Sequence, residues 1–119
     1  MIFIGTDIVP IFRIEKMIDE KGNRFLNRIF TKKEQNICNE KANPPIHYSG
    51  KYAAKEAVKK ALLSSKTIEN ISLKSIEINN DYLGEPIINV KYKNIRHNKL
   101  KVSISHAGEY AIATAILEI

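Results

Sequence analysis

Residues 50–63 read GKYAAKEAVKKALL, and this stretch decides how the rest of the chain can be arranged. At 3.6 residues per turn, its small and aliphatic residues fall on one face of a helix: Ala54, Ala57, Val58, Ala61 and Leu62. Glu56 and Lys60 fall on the opposite face, together with Tyr52 and Leu63. We therefore predict a long central helix with its first face buried in the core.

The sequence before this helix contains one predicted strand and three predicted helices. The strand covers residues 2–9, with Ile2, Ile4, Thr6 and Ile8 on one face and Phe3, Gly5, Asp7 and Val9 on the other. The next elements are a helix from Pro10 to about residue 20, a break at 21–23, a short helix over 24–30 and a third helix that begins with a capping box of Thr31 and Glu34. A loop over 39–45 leads into the central helix at about Ile46.

After residue 66 the pattern changes from helical spacing to alternation, which is typical of strands. Strands are predicted over residues 71–78, 87–92, 101–106 and 110–119, with a turn region over 79–86 and a tight turn at 107–109. The predicted fold class is α+β: an antiparallel meander, joined by the first strand, that packs with the long helix and the short helices. We expect a single domain over residues 1–119.

The composition limits the class of protein and its partners. The chain has 119 residues, of which 44% are hydrophobic and 27% charged, as in an ordinary folded domain. Its net charge of +6 suits nucleic acid, an acidic protein, a phosphorylated cofactor or a membrane surface, without choosing among them. A single cysteine, Cys38, excludes an internal disulfide, and MIFIGTDIV reads as a strand and not as a signal peptide. We therefore expect a cytoplasmic protein.

Asp7 shares a strand face with the apolar Phe3 and Val9. An unpaired carboxylate there would cost several kcal/mol, so the position requires hydrogen bonds, a cation or a metal. The alternative is that Asp7 lies at the end of the strand and caps the following helix.

The charges on the central helix also have two interpretations. Glu56 and Lys60 are four residues apart, and an ion pair of this kind on a solvated face contributes only about 0.2–0.5 kcal/mol. Tyr52 and Leu63 on the same face favour instead a surface covered by a ligand or by another subunit.

His106 lies on the same side of its strand as Val102 and Ile104, just before the tight turn. A lone histidine there is either a packed side chain or a functional one. Ser103 and Ser105 point to the other side, so they do not form a nucleophile–base pair with His106. The sequence contains no glycine-rich phosphate loop, dinucleotide fingerprint or zinc-binding spacing.

Three stretches in a fixed order resemble the holo-[acyl-carrier-protein] synthase family, the small, single-domain type of 4′-phosphopantetheinyl transferase. They are IGTDIVPIFRI at 4–14, GKYAAKEAVKKA at 50–61 and VSISHAGEYAIATAI at 102–116, and RFLNRIFTKKE at 24–34 extends the resemblance to essentially the whole chain. The resemblance implies an enzyme that transfers the 4′-phosphopantetheine group of coenzyme A to a serine of apo-acyl carrier protein. It also implies that Mg²⁺ is required and that adenosine 3′,5′-bisphosphate is the second product.

The resemblance assigns the catalytic and metal-binding roles to three residues. Asp7 and Glu56 match the family's metal ligands, and Lys60 matches its catalytic lysine, one helical turn after Glu56. Mg²⁺ usually takes one or two carboxylates together with substrate phosphates and waters, which suits this pair. The carrier serine is deprotonated either by Glu56 itself or by a metal-bound water that Glu56 orients.

Coenzyme A and the carrier protein are assigned to other positions. Lys60, Lys51 and His106 match residues that contact coenzyme A phosphates, and Gly84 and Pro86 match a turn beside its adenine. Arg13, Arg24 and Arg28 fall where the family presents basic side chains to the carrier protein. The resemblance further implies a homotrimer with active sites between subunits, and neither nucleic acid nor membrane as a partner.

Two features depart from the family pattern. Lys51 stands where the family often has arginine, so the charge is kept but the two-pronged contact with phosphate is lost. LLSSKT, at residues 62–67, replaces a glycine-rich turn, and a longer helix with a reshaped pantetheine channel is expected because Leu63 and Ser64 adopt positive φ less readily than glycine.

Two other classes of protein would also explain parts of the sequence. A basic α+β module that binds RNA without catalysis explains the net charge equally well, and a purely structural oligomerisation domain explains the covered helix face. Neither explains why Glu56 interrupts a basic helix or why Asp7 lies in an apolar strand.

Overall fold

The computed structural model describes residues 1–92 and 99–119 and confirms the α+β class. The helices are α1 (Ile11–Lys21), α2 (Asn23–Ile29), α3 (Lys32–Asn39) and α4 (Pro44–Ser64). The strands are β1 (Ile2–Pro10), β2 (Ile76–Asn80), β3 (Pro86–Val90), β4 (Leu100–Ala107) and β5 (Tyr110–Glu118). The predicted strand at 71–78 begins only at Ile76, because Leu73–Ser75 form a 3₁₀ turn in which the N–H of Ser75 donates to the carbonyl of Ser72.

The strands form two antiparallel sheets in the described part of the chain, with orders β1-β5-β4 and β2-β3. The first strand does join the C-terminal strands as predicted: Ile4 faces Ile116, and Asp7 faces Ala113. The single meander is wrong, since β2 and β3 pair with each other in a separate sheet. The alternation of apolar and polar residues predicts which side chains share a face of a strand. It does not predict which strands pair, because pairing depends on tertiary contacts.

Helix α4 is the centre of the core, and the predicted buried face is confirmed. Ala54, Ala57, Val58 and Ala61 are 0% exposed. Gly5 of β1 lies so close to α4 that an added Cβ atom would overlap the carbonyl oxygen of Ala57 and lie 2.7 Å from the N atom of Ala61. The small residues of α4 and a glycine in β1 therefore allow two backbones to pack in direct contact.

A buried ion pair connects α4 to α3. Nζ of Lys55 donates to Oε1 of Glu34 over 2.6 Å, and both side chains are 0% exposed. The same ammonium donates to the carbonyls of Ile29 (2.9 Å) and Leu73 (3.1 Å), so all three of its hydrogens have acceptors. The Thr31–Glu34 capping box is confirmed as well, and removal of one partner of such a buried pair costs about 3–5 kcal/mol.

The sequence LLSSKT gives α4 an unusual C-terminal turn. The helix ends at Ser64, and Lys66 takes the left-handed backbone conformation with φ of +60°. The hydroxyl of Ser65 donates to the carbonyl of Leu62 over 2.6 Å, which satisfies one of the last carbonyls of the helix. The absent glycine is thus replaced by a strained lysine and a serine hydrogen bond.

Candidate active site

The carboxylate of Asp7 lies at the junction of β1 and α4. Nζ of Lys60 is 3.1 Å from Oδ1 of Asp7 and 2.9 Å from the carbonyl oxygen of Thr6. The side chain of Asp7 is 17% exposed and that of Lys60 is 51% exposed, so the pair is open to solvent on one side. Capping of α1 by Asp7 is wrong: Pro10 occupies the N-cap position, and no side chain bonds to that helix end.

Glu56 lies one turn before Lys60 on α4 and is partly buried. Burial raises the pKa of the Tyr52 phenol, and the nearby negative charges of Glu56 and then Asp7 raise it further. Both carboxylates therefore act on Tyr52 electrostatically. The interpretation of Glu56 and Lys60 as an ion pair on a solvated face is wrong. Lys60 bonds to Asp7 instead, and no described residue forms an ion pair with Glu56.

This arrangement fits a magnesium ion that keeps part of its hydration shell. No group of three or more His, Cys, Asp or Glu side chains that could hold a metal occurs within residues 1–92 and 99–119, so a complete cage from the protein is absent there. Two carboxylates are the number that Mg²⁺ usually takes from a protein when substrate phosphates and waters supply the other ligands. Asp7 and Glu56 supply that number from adjacent elements.

A second feature is a cleft of about 780 Å³ beside α4, bordered by β4 and the β2–β3 turn. Four residues predicted to bind coenzyme A line it: Lys51, Gly84, Pro86 and His106. The turn that carries Gly84 is well fixed, because Oδ1 of Asp81 accepts hydrogen bonds from the N–H groups of Leu83 (2.8 Å) and Glu85 (2.9 Å). Gly84 itself has φ of +88°, which a residue with a side chain adopts only with strain.

The two basic cleft residues that were predicted to bind coenzyme A, Lys51 and His106, differ in exposure. Lys51 is only 6% exposed, and its Nζ donates to the carbonyl of Ile78 over 2.6 Å. Burial is the main reason why the pKa of Lys51 is lowered. His106 is exposed at the cleft surface, so its interpretation as a packed core side chain is wrong.

The structure places the predicted residues in two separate groups. Lys60 bonds to Asp7 and lies one turn after Glu56, and none of the three lines the cleft that contains Lys51 and His106. The cleft residues of α4 include His47 and Gly50, which point about 120–180° away from Glu56 around the helix axis at 100° per residue. Within one chain, the candidate metal site and the cleft lie on different sides of α4.

The predicted arginines lie on the first two helices. Arg13 lies on α1, Arg24 and Arg28 lie on α2, and all three are exposed. The charges of Arg13 and Arg28 oppose the rise in the pKa of the Tyr52 phenol, so both act on that side chain electrostatically.

Comparison with known proteins defines the family. The family model described as the 4′-phosphopantetheinyl transferase superfamily (ACPS) matches residues 3–115, and the chain belongs to this superfamily. A holo-[acyl-carrier-protein] synthase of Chlamydia pneumoniae is 44% identical over 118 residues, covering 98% of this chain and 96% of that protein. The predicted resemblance to these synthases is thus confirmed, and with it an enzyme in place of an RNA-binding module.

Solved structures of two bacterial synthases share the fold. The enzyme of Bacillus anthracis str. Ames, in complex with CoA (3′,5′-ADP), has a TM-score of 0.79 and 36% identity over 98% of this chain and 95% of its own. The enzyme of Helicobacter pylori, in complex with coenzyme A, has a TM-score of 0.82 and 32% identity over 97% of this chain and 99% of its own. In the described part of the present chain, no helix is long and apolar enough to span a bilayer.

Proposed function

We propose that this protein transfers the 4′-phosphopantetheine group of coenzyme A to a serine of apo-acyl carrier protein, in a Mg²⁺-dependent reaction that releases adenosine 3′,5′-bisphosphate. The observation that carries the proposal is the hydrogen bond between Lys60 and Asp7 at the junction of β1 and α4, one helical turn from Glu56. Two carboxylates beside a lysine form a group suited to a pyrophosphate and its metal ion.

Each residue of this group has a separate task in the transfer. Asp7 and Glu56 would hold Mg²⁺, which supplies charge neutralisation at the pyrophosphate when bound. Lys60 adds a positive charge that stabilises the leaving bisphosphate. The serine hydroxyl attacks the β-phosphorus, the bond to the bisphosphate oxygen breaks, and Glu56 takes the serine proton directly or through a water molecule.

The cleft is the proposed binding site for the adenosine end of coenzyme A. Lys51 and His106 offer positive charge and hydrogen-bond donors to phosphate, while Gly84 and Pro86 form the wall beside the adenine. Arg13, Arg24 and Arg28 form the proposed docking surface for the acidic carrier protein, and the charges of Arg13 and Arg28 already act on Tyr52, a neighbour of Glu56 on α4.

A homotrimer is part of the proposal, because the metal group and the cleft lie on different sides of α4. One subunit would supply the metal group and its neighbour the cleft. The exposed face of the β1-β5-β4 sheet supports such an assembly, since it carries five isoleucines that are 42–64% exposed: Ile2, Ile4, Ile8, Ile112 and Ile116. An apolar surface of this kind indicates a protein interface.

The expectation that a ligand or another subunit covers the second face of α4 rested on Tyr52 and Leu63. Tyr52 and Leu63 pack against the chain's own core and are only partly exposed, so they are not the apolar surface that calls for another subunit. In the proposal, the exposed face of the β1-β5-β4 sheet is the apolar surface that contacts another subunit.

The proposal places the reaction in the cytoplasm, in fatty acid biosynthesis, where acyl carrier proteins need the phosphopantetheine arm. The buried Cys38 is compatible with a reducing compartment, since burial is the main reason why its pKa is raised to about 11 and the reactive thiolate is disfavoured.

The direct experiment mixes the protein with coenzyme A, Mg²⁺ and an apo-acyl carrier protein and weighs the carrier by mass spectrometry. We expect a gain equal to one 4′-phosphopantetheine group, which EDTA prevents. Asp7→Asn and Glu56→Gln should each remove nearly all transfer, and the double variant should be no worse than either, because each change disrupts the same metal site. Asp19→Asn on the exposed surface of α1 is the matched control. Normal transfer by both single variants would contradict the assigned metal site.

A further inference from the structure

The cleft brings together four basic side chains and two carboxylates. Its basic side chains come from the α3–α4 loop, from α4 and from β4: Lys41, His47, Lys51 and His106. Within residues 1–92 and 99–119, none of these four forms an ion pair. The carboxylates on the facing wall are Asp81 and Glu85, and Oδ1 of Asp81 is already engaged by two backbone N–H groups.

Lys51 indicates that the cleft is built for an anion. Its side chain is 6% exposed and borders the cleft. Its hydrogen bond within the described residues goes to the carbonyl of Ile78, and an ammonium group has three N–H donors. A buried, incompletely bonded cation is expensive unless an anion approaches it.

His47 lies in the first turns of α4, at the exposed edge of the same cleft. Partial burial is the main cause that lowers the pKa of His47 below 6.5, and the charges of Lys41, His106 and Lys51 lower it further. The positive end of the α4 dipole acts in the same direction. His47 is therefore mostly neutral near pH 7 while the cleft is empty.

We propose that His47 is a further binding residue for the 3′-phosphate of coenzyme A, and that it takes up a proton when this phosphate binds. The inference rests on the proposed function, in which the cleft takes the adenosine end of coenzyme A and the pyrophosphate goes to the Asp7–Glu56–Lys60 group. The phosphate that reaches His47 is then the monoester, a dianion above its second pKa of about 6.

The direction in which pH changes the affinity for coenzyme A follows from this proton uptake. A dianion beside His47 favours the imidazolium, so the pKa of His47 is higher in the complex than in the free protein. Between those two pKa values the complex holds more protons than its separated components. The affinity for coenzyme A therefore rises as the pH is lowered from 8 to 7, a range in which the ligand's own phosphate remains a dianion.

Calorimetric titration of the whole protein with coenzyme A, in two buffers of different ionisation enthalpy at pH 7.5, measures the proton uptake. We expect the wild type to take up a fraction of a proton with coenzyme A and none with dephospho-coenzyme A, which lacks the 3′-phosphate. His47→Gln should lose the uptake and bind coenzyme A roughly 10-fold more weakly at pH 7, the effect of one lost charge-assisted hydrogen bond.

His47→Arg is the matched variant, because it keeps a positive charge at all of these pH values. It should bind coenzyme A at least as tightly as the wild type at pH 8, with no proton uptake. Uptake that persists in His47→Gln, or wild-type binding without any uptake, would overturn this inference and leave the proposed function in place. Absence of coenzyme A binding by the wild type would overturn both.

Discussion

Lys60 and Asp7 are joined by a hydrogen bond of 3.1 Å between Nζ and Oδ1, so a helix side chain is held by the first strand and not by its helical neighbour Glu56. A second hydrogen bond, to the carbonyl of Thr6, fixes the ammonium from the strand backbone. The result is that Glu56 keeps its carboxylate available beside a lysine whose position is already set.

This contact predicts different effects for two adjacent lysines. Lys60→Ala should reduce the rate of transfer roughly 10- to 100-fold, the equivalent of one lost hydrogen bond between charged groups. Lys59→Ala should change it little, because Lys59 makes no hydrogen bond to Asp7 or Thr6. Initial rates at saturating coenzyme A would measure the difference. Equal losses in the two variants would mean that α4 acts only as a diffuse basic surface.

The contact between β1 and α4 predicts a severe effect of Gly5→Ala. The added Cβ would overlap the backbone of Ala57, so the strand must move away, at a cost of about 1–3 kcal/mol or more in the free energy of unfolding. The movement should also separate Asp7 from Lys60 and reduce transfer. Gly50→Ala is the control, since its Cβ would meet only a side-chain methyl of Ile104 at 3.1 Å. Denaturant unfolding should rank Gly5→Ala well below Gly50→Ala.

The exposed sheet face predicts a variant that separates the subunits. Light scattering should give three times the mass of one chain for the wild type. Ile4→Asp should give a monomer with little transfer activity, because a charge is placed opposite Ile116 in the proposed interface. Ile87 on β3 is a similarly exposed isoleucine in the other sheet, so Ile87→Asp should remain trimeric. A fully active monomeric Ile4→Asp would contradict active sites shared between subunits.

The arginines on α2 predict a change in carrier recognition alone. Arg24→Glu with Arg28→Glu should raise the KM for the carrier protein and flatten its dependence on salt, because attraction of an acidic partner is lost. The KM for coenzyme A should stay nearly unchanged, since neither arginine lines the cleft. If carrier kinetics at low ionic strength are unaffected, the arginines are merely solvated, and the docking surface lies elsewhere.

The turn after α4 predicts a stabilising substitution. Lys66→Gly should raise the free energy of unfolding by about 1 kcal/mol, because glycine adopts a φ of +60° without the steric cost that a lysine Cβ imposes. Ser64→Gly, at the end of the helix, should lower it instead. Urea unfolding of both variants would measure the two changes, and a loss of stability in Lys66→Gly would contradict strain at this position.

The faces of the helices and strands could be predicted from the sequence because burial leaves a regular spacing. Ala57 and Ala61 show it on α4, and Thr31 with Glu34 is a local hydrogen-bonding pattern that needs no tertiary partner. The role of Gly5 could not be predicted, since a glycine carries no sign of what packs above it. Lys55 is similar, because a lysine in a basic helix gives no indication that three acceptors surround it in the core.

The site was predicted only as far as the family resemblance reached. It supplied Asp7, Glu56 and Lys60, and the structure shows a hydrogen bond between Lys60 and Asp7. The separation of the cleft from that group depends on how α4 is oriented against two different sheets, which no local pattern encodes. His47 was missed for the same reason: it becomes notable only when β4 and the α3–α4 loop place other cations beside it.

The order of strands in the sheet has a consequence for the synthesis of the protein on the ribosome. In the described part of the chain, β5 is the only strand that pairs with β1, and Thr6 donates to the carbonyl of Ala113 across 107 positions of sequence. At a translation rate of about 5–20 residues per second, β5 is synthesised roughly 5–20 s after β1. Throughout translation the nascent chain therefore carries an apolar strand with open edges, and Asp7 reaches its working position only after β5 has emerged.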